Sequence, residues 1–233
     1  MGARIPKKRK AVLEKVEKGK LYSIEEAANL VKEIAYENFE SSIDLAVRLG
    51  VDPRKADQMV RGTIVLPHGT GKEKKVLVFC LPEQEDEAKK AGADYVGLDE
   101  YIEKIQKSWL DFDVVIATPQ VMQKVSKVAR ILGPRRLMPT PKAGTVTNKL
   151  GQAIKEFKAG RITFKVDKVG NVHVPVGRKS FEAEKLVENI NEFLNYLIRI
   201  KPAAAKGNYI RSIHLSSTMS PSIPIDPKTV KRN

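Results

Sequence analysis

The sequence predicts a mixed fold, part α/β and part α+β, on three observations. Strands alternate with helices through the middle of the chain, while the flanks repeat their apolar residues with periods of 2 or 3.6. Apolar residues make up 42% of the 233, enough to fill a core, and a chain of this length holds one large or two modest domains.

The first clear helix is SIEEAANLVKEIA, residues 23–35. Ser23 caps it, Glu26 completes a capping box, and Ile24, Ala27, Ala28, Val31, Ile34 and Ala35 share one face. SIDLAVRLG, residues 42–50, alternates Ile43, Leu45, Val47 and Leu49 with Asp44, Ala46 and Arg48, the period of a strand with one buried face. TIVLP gives another strand. At PHGTGKEKK, residues 67–75, the texture changes. Strand VLVFC follows, then an acidic helix over EQEDEAKKAG, a helix around EYIEKIQKSWL and strand DVVIATP. The next helix starts at Pro119, repeats Val121, Met122, Val125, Val128, Ala129 and Leu132, and stops at Gly133 and Pro134. This βα alternation favours a small α/β layer domain.

LGPRRLMPTPKAGTV, residues 132–146, is a loop stiffened by its prolines and made cationic by Arg135, Arg136 and Lys142. NKLGQAIKEFKAG is a helix closed by Gly160, and strands RITFKVD and NVHVPVG restore the opening texture. SFEAEKLVENINEFLNYLIRI is the strongest helix, with a broad stripe that includes Leu186, Ile190, Phe193, Leu194 and Leu197. The last strand, NYIRSIHLSSTM, puts Tyr209, Arg211, Ile213 and Leu215 on one face and Ser212, His214, Ser216 and Thr218 on the other. That polar row could meet solvent or the riboses and phosphates of folded RNA.

Charge and motifs narrow the function. The net charge of +14 favours a phosphate-bearing partner, nucleic acid ahead of a membrane surface. Residues 68–159 hold 16 Lys/Arg against 12 Asp/Glu, so only +4 of that excess lies in the middle and +10 lies in the flanks. The basic stretch PKKRKAVLEK is either an RNA-binding arm or a solvated terminus. No apolar run is long enough to span a membrane and no secretory leader is legible, which places the chain in the cytosol. Cys80, inside VLVFC, reads as a core thiol. HGTGK lacks the spacing and the Ser or Thr of a phosphate loop, and His68, His173 and His214 have no metal-ligand spacing. Neither a cofactor, a metal nor a catalytic residue is expected. The alternative, an α/β enzyme that uses a nucleotide, rests on the middle texture and HGTGK alone.

The ordered motifs DEAKKAGADYVG, SWLDFDVVIATP, LGPRRLMPTPKAGTV, FKAGRI, VPVG and SSTMSPS span nearly the whole chain. Their order and spacing resemble the family of the first ribosomal protein of the large subunit, in its bacterial form, the protein of the mobile side stalk. Three departures stand out: Arg136 and Ser220 replace a usual Gly, and Thr140 replaces a usual Asn. The resemblance implies two domains. One is a discontinuous split β-α-β domain, residues 1–67 and 159–233, that binds RNA; the other, residues 68–158, is an inserted Rossmann-like α/β domain. It implies binding to a junction of large-subunit rRNA near the exit-site tRNA and repression through a mimic of that junction in the protein's own operon mRNA. A free monomer without cofactor is expected.

Residue by residue, Phe39 and Ser42 match the family's first contact segment, Ser212 a contact on the last strand, and Thr218, Met219 and Ser220 its hydroxyl-Met-Gly triad. The resemblance implies that Thr218 hydrogen-bonds the RNA backbone or ribose and that Met219 packs on a sugar or base. Phe39 would stack or wedge, unless it is a core aromatic. Lys165, Lys168 and His173 are added on charge. Arg135, Arg136 and Lys142 form a secondary basic loop that touches RNA or braces the domains.

Overall fold

A computed structural model of the chain describes residues 6–17, 19–135 and 137–229. The chain forms two compact units, Met1–Gly71 with Ile162–Asn233, and Lys72–Arg161. These joints fall a few residues beyond 67/68 and 158/159. Gly71 still packs with the first unit, because a Cβ there would meet the Phe181 ring at 2.7 Å.

The first unit opens with helix α1 (Lys7–Lys15), mostly exposed, whose Val12 reaches the core. Helix α2 (Ile24–Ile34) starts at the expected capping box: Ser23 Oγ accepts from Glu26 N–H at 3.2 Å, and Ser23 N–H donates to Glu26 Oε2 at 3.0 Å. Strand β1 (Ser42–Leu49) buries Ile43, Leu45, Val47 and Leu49, as the alternation requires, and β2 (Arg61–Val65) follows.

The second unit contains β3 (Val76–Phe79), α3 (Glu85–Lys90), β4 (Tyr95–Gly97), α4 (Asp99–Gln106), β5 (Val114–Ala117), α5 (Met122–Val125), α6 (Ala129–Leu132) and α7 (Leu150–Lys158). Its strands form a parallel sheet in the order β4-β3-β5. Two apolar clusters share β3. One joins Leu77 and Phe79 to Ile102, Ile105, Val125 and Leu132; the other joins Val76 and Val78 to Ala88, Leu150, Ile154 and Phe157. Cys80 lies in the second, where burial pushes its thiol up to about 11.

The chain then returns through β6 (Arg161–Lys165), β7 (Asn171–Arg178), α8 (Ala183–Arg199), β8 (Ile210–Ser217) and β9 (Ile223–Ile225). Strands β7-β1-β8-β9 make an antiparallel sheet, and β2 pairs with β6 in a smaller one. Helices α2 and α8 pack with each other and with the face that presents Leu45, Val47, Val174, Ile213 and Leu215. The opposite face, with Asp44, Arg48, His173, Ser212, His214 and Ser216, stays partly or fully exposed. One-sided burial of this kind is what an antiparallel sheet permits.

Four elements differ from the sequence reading, the first being α1, which forms where PKKRKAVLEK offers only a basic arm or a solvated terminus. The helix expected from Pro119 to Leu132 is broken into α5, α6 and intervening 3-10 turns. Ser126 Oγ donates back to Met122 O at 2.9 Å, and Val121, Val125 and Val128 crowd the same turns, so the helical ladder tightens there. Strands β4 and β9, three residues each, are too short to show a period of 2, and Pro224 interrupts β9.

Asn189 lies fully buried on α8, within a stripe that otherwise reads as apolar. Its Nδ2 donates to Gly69 O at 3.0 Å and Val176 O at 2.8 Å, and its Oδ1 accepts from His68 N–H at 3.1 Å. One side chain thus joins α8 to β7 and to the segment where the chain leaves the first unit. Asn189→Ala strands these three backbone groups, and a loss of about 3 kcal/mol in folding stability is expected by chemical denaturation. A loss below about 1 kcal/mol would show that water replaces the amide without difficulty.

Candidate nucleic-acid interface

Antiparallel pairing fixes the site. Ile43 stands opposite Ser217, so the start of β1 meets the end of β8 and brings Ser42 beside Thr218. Thr218 lies one residue past β8, where the strand gives way to a bend. The polar row read from the sequence therefore stops at Ser216. The Thr218 hydroxyl donates to Ser42 O at 3.4 Å, the long limit for such a bond, and the residue stays exposed.

The turn that follows is held by its own side chains. Ser220 Oγ accepts from Ser217 N–H at 2.9 Å and donates to Pro221 O at 3.0 Å. Among the described residues only Ser108 combines a side chain with positive φ, so this turn requires no glycine at position 220. Tyr36 Oη donates to Met219 O at 3.2 Å. At the same corner Phe39 is 53% exposed and Met219 50% exposed, two large apolar side chains left in water. Phe39 is thus no core aromatic.

The segment between α2 and β1 is fastened to β7 as well. Lys179 Nζ donates to Glu37 O at 2.9 Å, Lys179 N–H to Ser41 O at 3.0 Å, and Ser180 N–H to Glu40 Oε1 at 3.0 Å. Glu37 is buried, a site that sequence patterning did not single out. Burial raises its pKa, but the hydroxyl dipoles of Ser217 and Ser41, its own backbone and the charge of Lys179 outweigh that and hold it below its ordinary value. The side-chain oxygens of Glu37, Ser41 and Ser217 do not meet strict hydrogen-bond geometry, so proximity and charge carry the cluster.

The exposed face of the four-stranded sheet extends from this corner in cross-strand rows: Pro175, Asp44 and Ser216; His173, Ala46, His214 and Pro224; Asn171, Arg48 and Ser212. Burial pushes the Asp44 carboxyl up, opposed by His173. His214 Nδ1 is buried without a hydrogen-bond partner. Ser212 belongs to the far row, about 20 Å along the strand from Thr218. His173 lies between the two ends. Lys165 is exposed at the end of β6, in the two-stranded sheet, and Lys168 is exposed in the turn before β7, which Asp167 holds by accepting from Val169 and Asn171 N–H. The sequence-selected residues Phe39, Ser42, Thr218, Met219 and Ser220 come together; Ser212, His173, Lys165 and Lys168 do not join that corner.

Residues 132–146 belong to the second unit. Thr145 ties the loop across its neck, its Oγ1 accepting from Thr140 N–H at 2.8 Å and donating to Thr140 O at 3.1 Å, while Gly144 turns at a φ of 69°. Thr140 thus takes part through its backbone. Arg135 is exposed; Arg136 and the Lys142 side chain lie outside the described residues.

A family model described as the ribosomal protein L1p/L10e family matches residues 31–221. The chain belongs to this family. It is similar to the large ribosomal subunit protein uL1 of Porphyromonas gingivalis, 58% identical over 231 residues, covering 99% of this chain and 100% of that protein. It is similar also to the proteins of the same name from Flavobacterium psychrophilum (57% over 228 residues, 98% of this chain and 100% of the other) and Bacteroides thetaiotaomicron (58% over 227 residues, 97% and 98%). The L1p/L10e family is one of ribosomal proteins and not of enzymes. HGTGK, the main support for an enzyme, contributes to the fold: Asn189 binds the backbone of His68 and Gly69, and Gly71 packs on Phe181. No group of His, Cys, Asp and Glu among the described residues could hold a metal, and no described helix is long and apolar enough to cross a membrane.

A depressed folded-state pKa means that Glu37 stabilises the fold above the ordinary carboxylate range and that this contribution fades as pH falls through the lowered value. Glu37→Gln should therefore cost more stability at pH 7 than at about pH 3, flattening the acid limb of denaturation midpoint against pH. Equal losses at both pH values would show that the charge contributes nothing.

Proposed function

We propose that the chain is a structural component of the large ribosomal subunit that binds a helical junction of large-subunit rRNA in the mobile side stalk, near the exit-site tRNA. The name shared by its relatives supports the subunit, and the corner of β1 and β8 supports RNA as the ligand. The observation that carries the reading is the exposure of Phe39 and Met219 beside the hydroxyls of Ser42 and Thr218, on the unit whose sequence bears most of the excess cation. Flat apolar groups pack on bases and sugars, hydroxyls pair with riboses and phosphates, and basic surroundings supply affinity without sequence.

Within this reading the exposed sheet face, with His173 and Ser212, lies along the RNA and continues the contact away from the corner. Lys165 and Lys168 lie beside the path of its backbone, and the basic loop at Arg135, Arg136 and Lys142 makes a secondary contact. The free protein is a monomer. The same corner recognises a mimic of the junction in the protein's own operon mRNA, so that excess protein represses its translation.

Thr218→Val keeps shape and β-branching while removing the hydroxyl. Its bond to Ser42 O is long and exposed, so stability should hold. If the hydroxyl pairs with a desolvated group of the stalk-junction RNA, binding should weaken about 5- to 150-fold, roughly 1 to 3 kcal/mol, with an unchanged salt slope because no charge is lost. Filter binding at fixed salt and magnesium decides it. Near-unaltered affinity would place the RNA elsewhere.

A further inference from the structure

The first unit has a concave surface distant from the Thr218 corner. The end of α8, the segment leading into β8 and the residues after β9 enclose a cleft of about 920 Å³. Lys201, Lys206, Arg211 and Lys228 line it, and all four are exposed. None of them forms an ion pair among the described residues. The one carboxylate in the lining, Asp226, already accepts from Lys228 N–H at 2.9 Å through Oδ1. Leu21, on the same wall, is 56% exposed.

This surface is separate from the exposed sheet face. Arg211 lies near the start of β8, whereas Thr218 follows its end, about 23 Å away along a strand. Arg211 falls at the irregularity of β8 where the pairing with β1 skips from Ser212 to Ile210, at the end of the strand remote from the corner.

Four lining cations against one carboxylate leave a net positive site that a polyanion neutralises. A single phosphodiester group, with one negative charge, would leave most of that charge uncompensated, whereas a run of them meets several cations at once, with Leu21 beside a sugar or base. Three of the four are lysines, compact charges without the arginine fork, which suits backbone contact without base reading. We propose that the cleft is a second, sequence-indifferent RNA contact, holding the phosphodiester backbone of a strand other than the one at the Thr218 corner. This rests on the functional reading above.

The test uses the full chain with Lys206→Ala and Lys228→Ala combined, two exposed side chains whose loss should leave thermal unfolding unchanged. Two probes are compared: an rRNA fragment trimmed to the stalk junction, and the same junction with its flanking helices. On the longer fragment the slope of log K against log salt should flatten by about 1.4 to 1.8, two cations at about 0.7 to 0.9 each; on the trimmed one it should not change. An unchanged slope on the longer fragment, or equal flattening on both, would overturn the proposal, the second by showing only a general field. Inorganic triphosphate that binds through these lysines while the RNA slopes stay fixed would overturn it in favour of a small polyphosphate. If the unaltered chain binds neither RNA, the functional reading itself fails, a result distinct from all of these.

Discussion

The first unit depends on one buried amide. It is assembled from two stretches of chain more than 90 residues apart, Met1–Gly71 and Ile162–Asn233, and apolar packing alone specifies their relative setting only loosely, because hydrophobic attraction has no direction. Asn189 supplies direction. Its three hydrogen bonds fix α8 against β7 and against the last residues of the first stretch. A buried polar group fully satisfied in this way fixes a position and costs heavily when the arrangement slips. Next to it, Gly177 admits α8 closely, since a Cβ there would approach Leu186 at 2.6 Å. Directed hydrogen bonding and close approach together define where β7 lies, and β7 defines where β1 and β8 lie.

From that setting the candidate corner follows. β1 joins the two stretches, pairing with β7 on one side and β8 on the other, so its first residues meet residues near position 218 whatever the length of chain between them. Tyr36, Glu37 and Lys179 then hold the loop before β1 without occupying the surface that Phe39 and Met219 present. Rigidity comes from beneath, and the exposed groups remain free for a ligand. Immobilising two large side chains at binding costs less when the backbone that carries them is already fixed.

Legibility in the sequence followed the length of each signal. The capping box at Ser23 and Glu26 and the alternation in β1 were readable because several residues repeat one requirement. β4 and β9 were not, being no longer than a single strand period and a half. The helix from Pro119 looked continuous because its apolar spacing is helical; what breaks the ladder is a hydroxyl returning to Met122 O, a local competitor that hydrophobic periodicity does not register. At the candidate site, the period of the last strand already puts Thr218 in the polar row, whereas Met219 and Ser220 come from resemblance alone. Glu37 was missed by both, since a lone acidic residue after a helix carries the same signal whether it is buried or solvated. The cationic cleft was equally hidden: Leu21, Lys206, Arg211 and Lys228 are scattered through the sequence and meet only in the folded unit.

The placement of charge gives the two surfaces different physical roles. At the Thr218 corner the groups offered to a ligand are a hydroxyl pair, a thioether and an aromatic ring, whose attraction is short-ranged and lost with a small displacement. In the cleft they are unpaired cations, whose field extends over about a Debye length, roughly 8 to 10 Å at physiological salt, and tolerates displacement. In the proposed function, discrimination between RNA sites therefore falls to the corner, because only contacts that fail when misplaced can tell one junction from another. On the same proposal, capture and salt-dependent affinity fall to the cationic surfaces. Separation by the length of β8 would let a fold with a rigid centre bring both to one structured RNA, as proposed, while neither group of side chains has to serve the other's purpose.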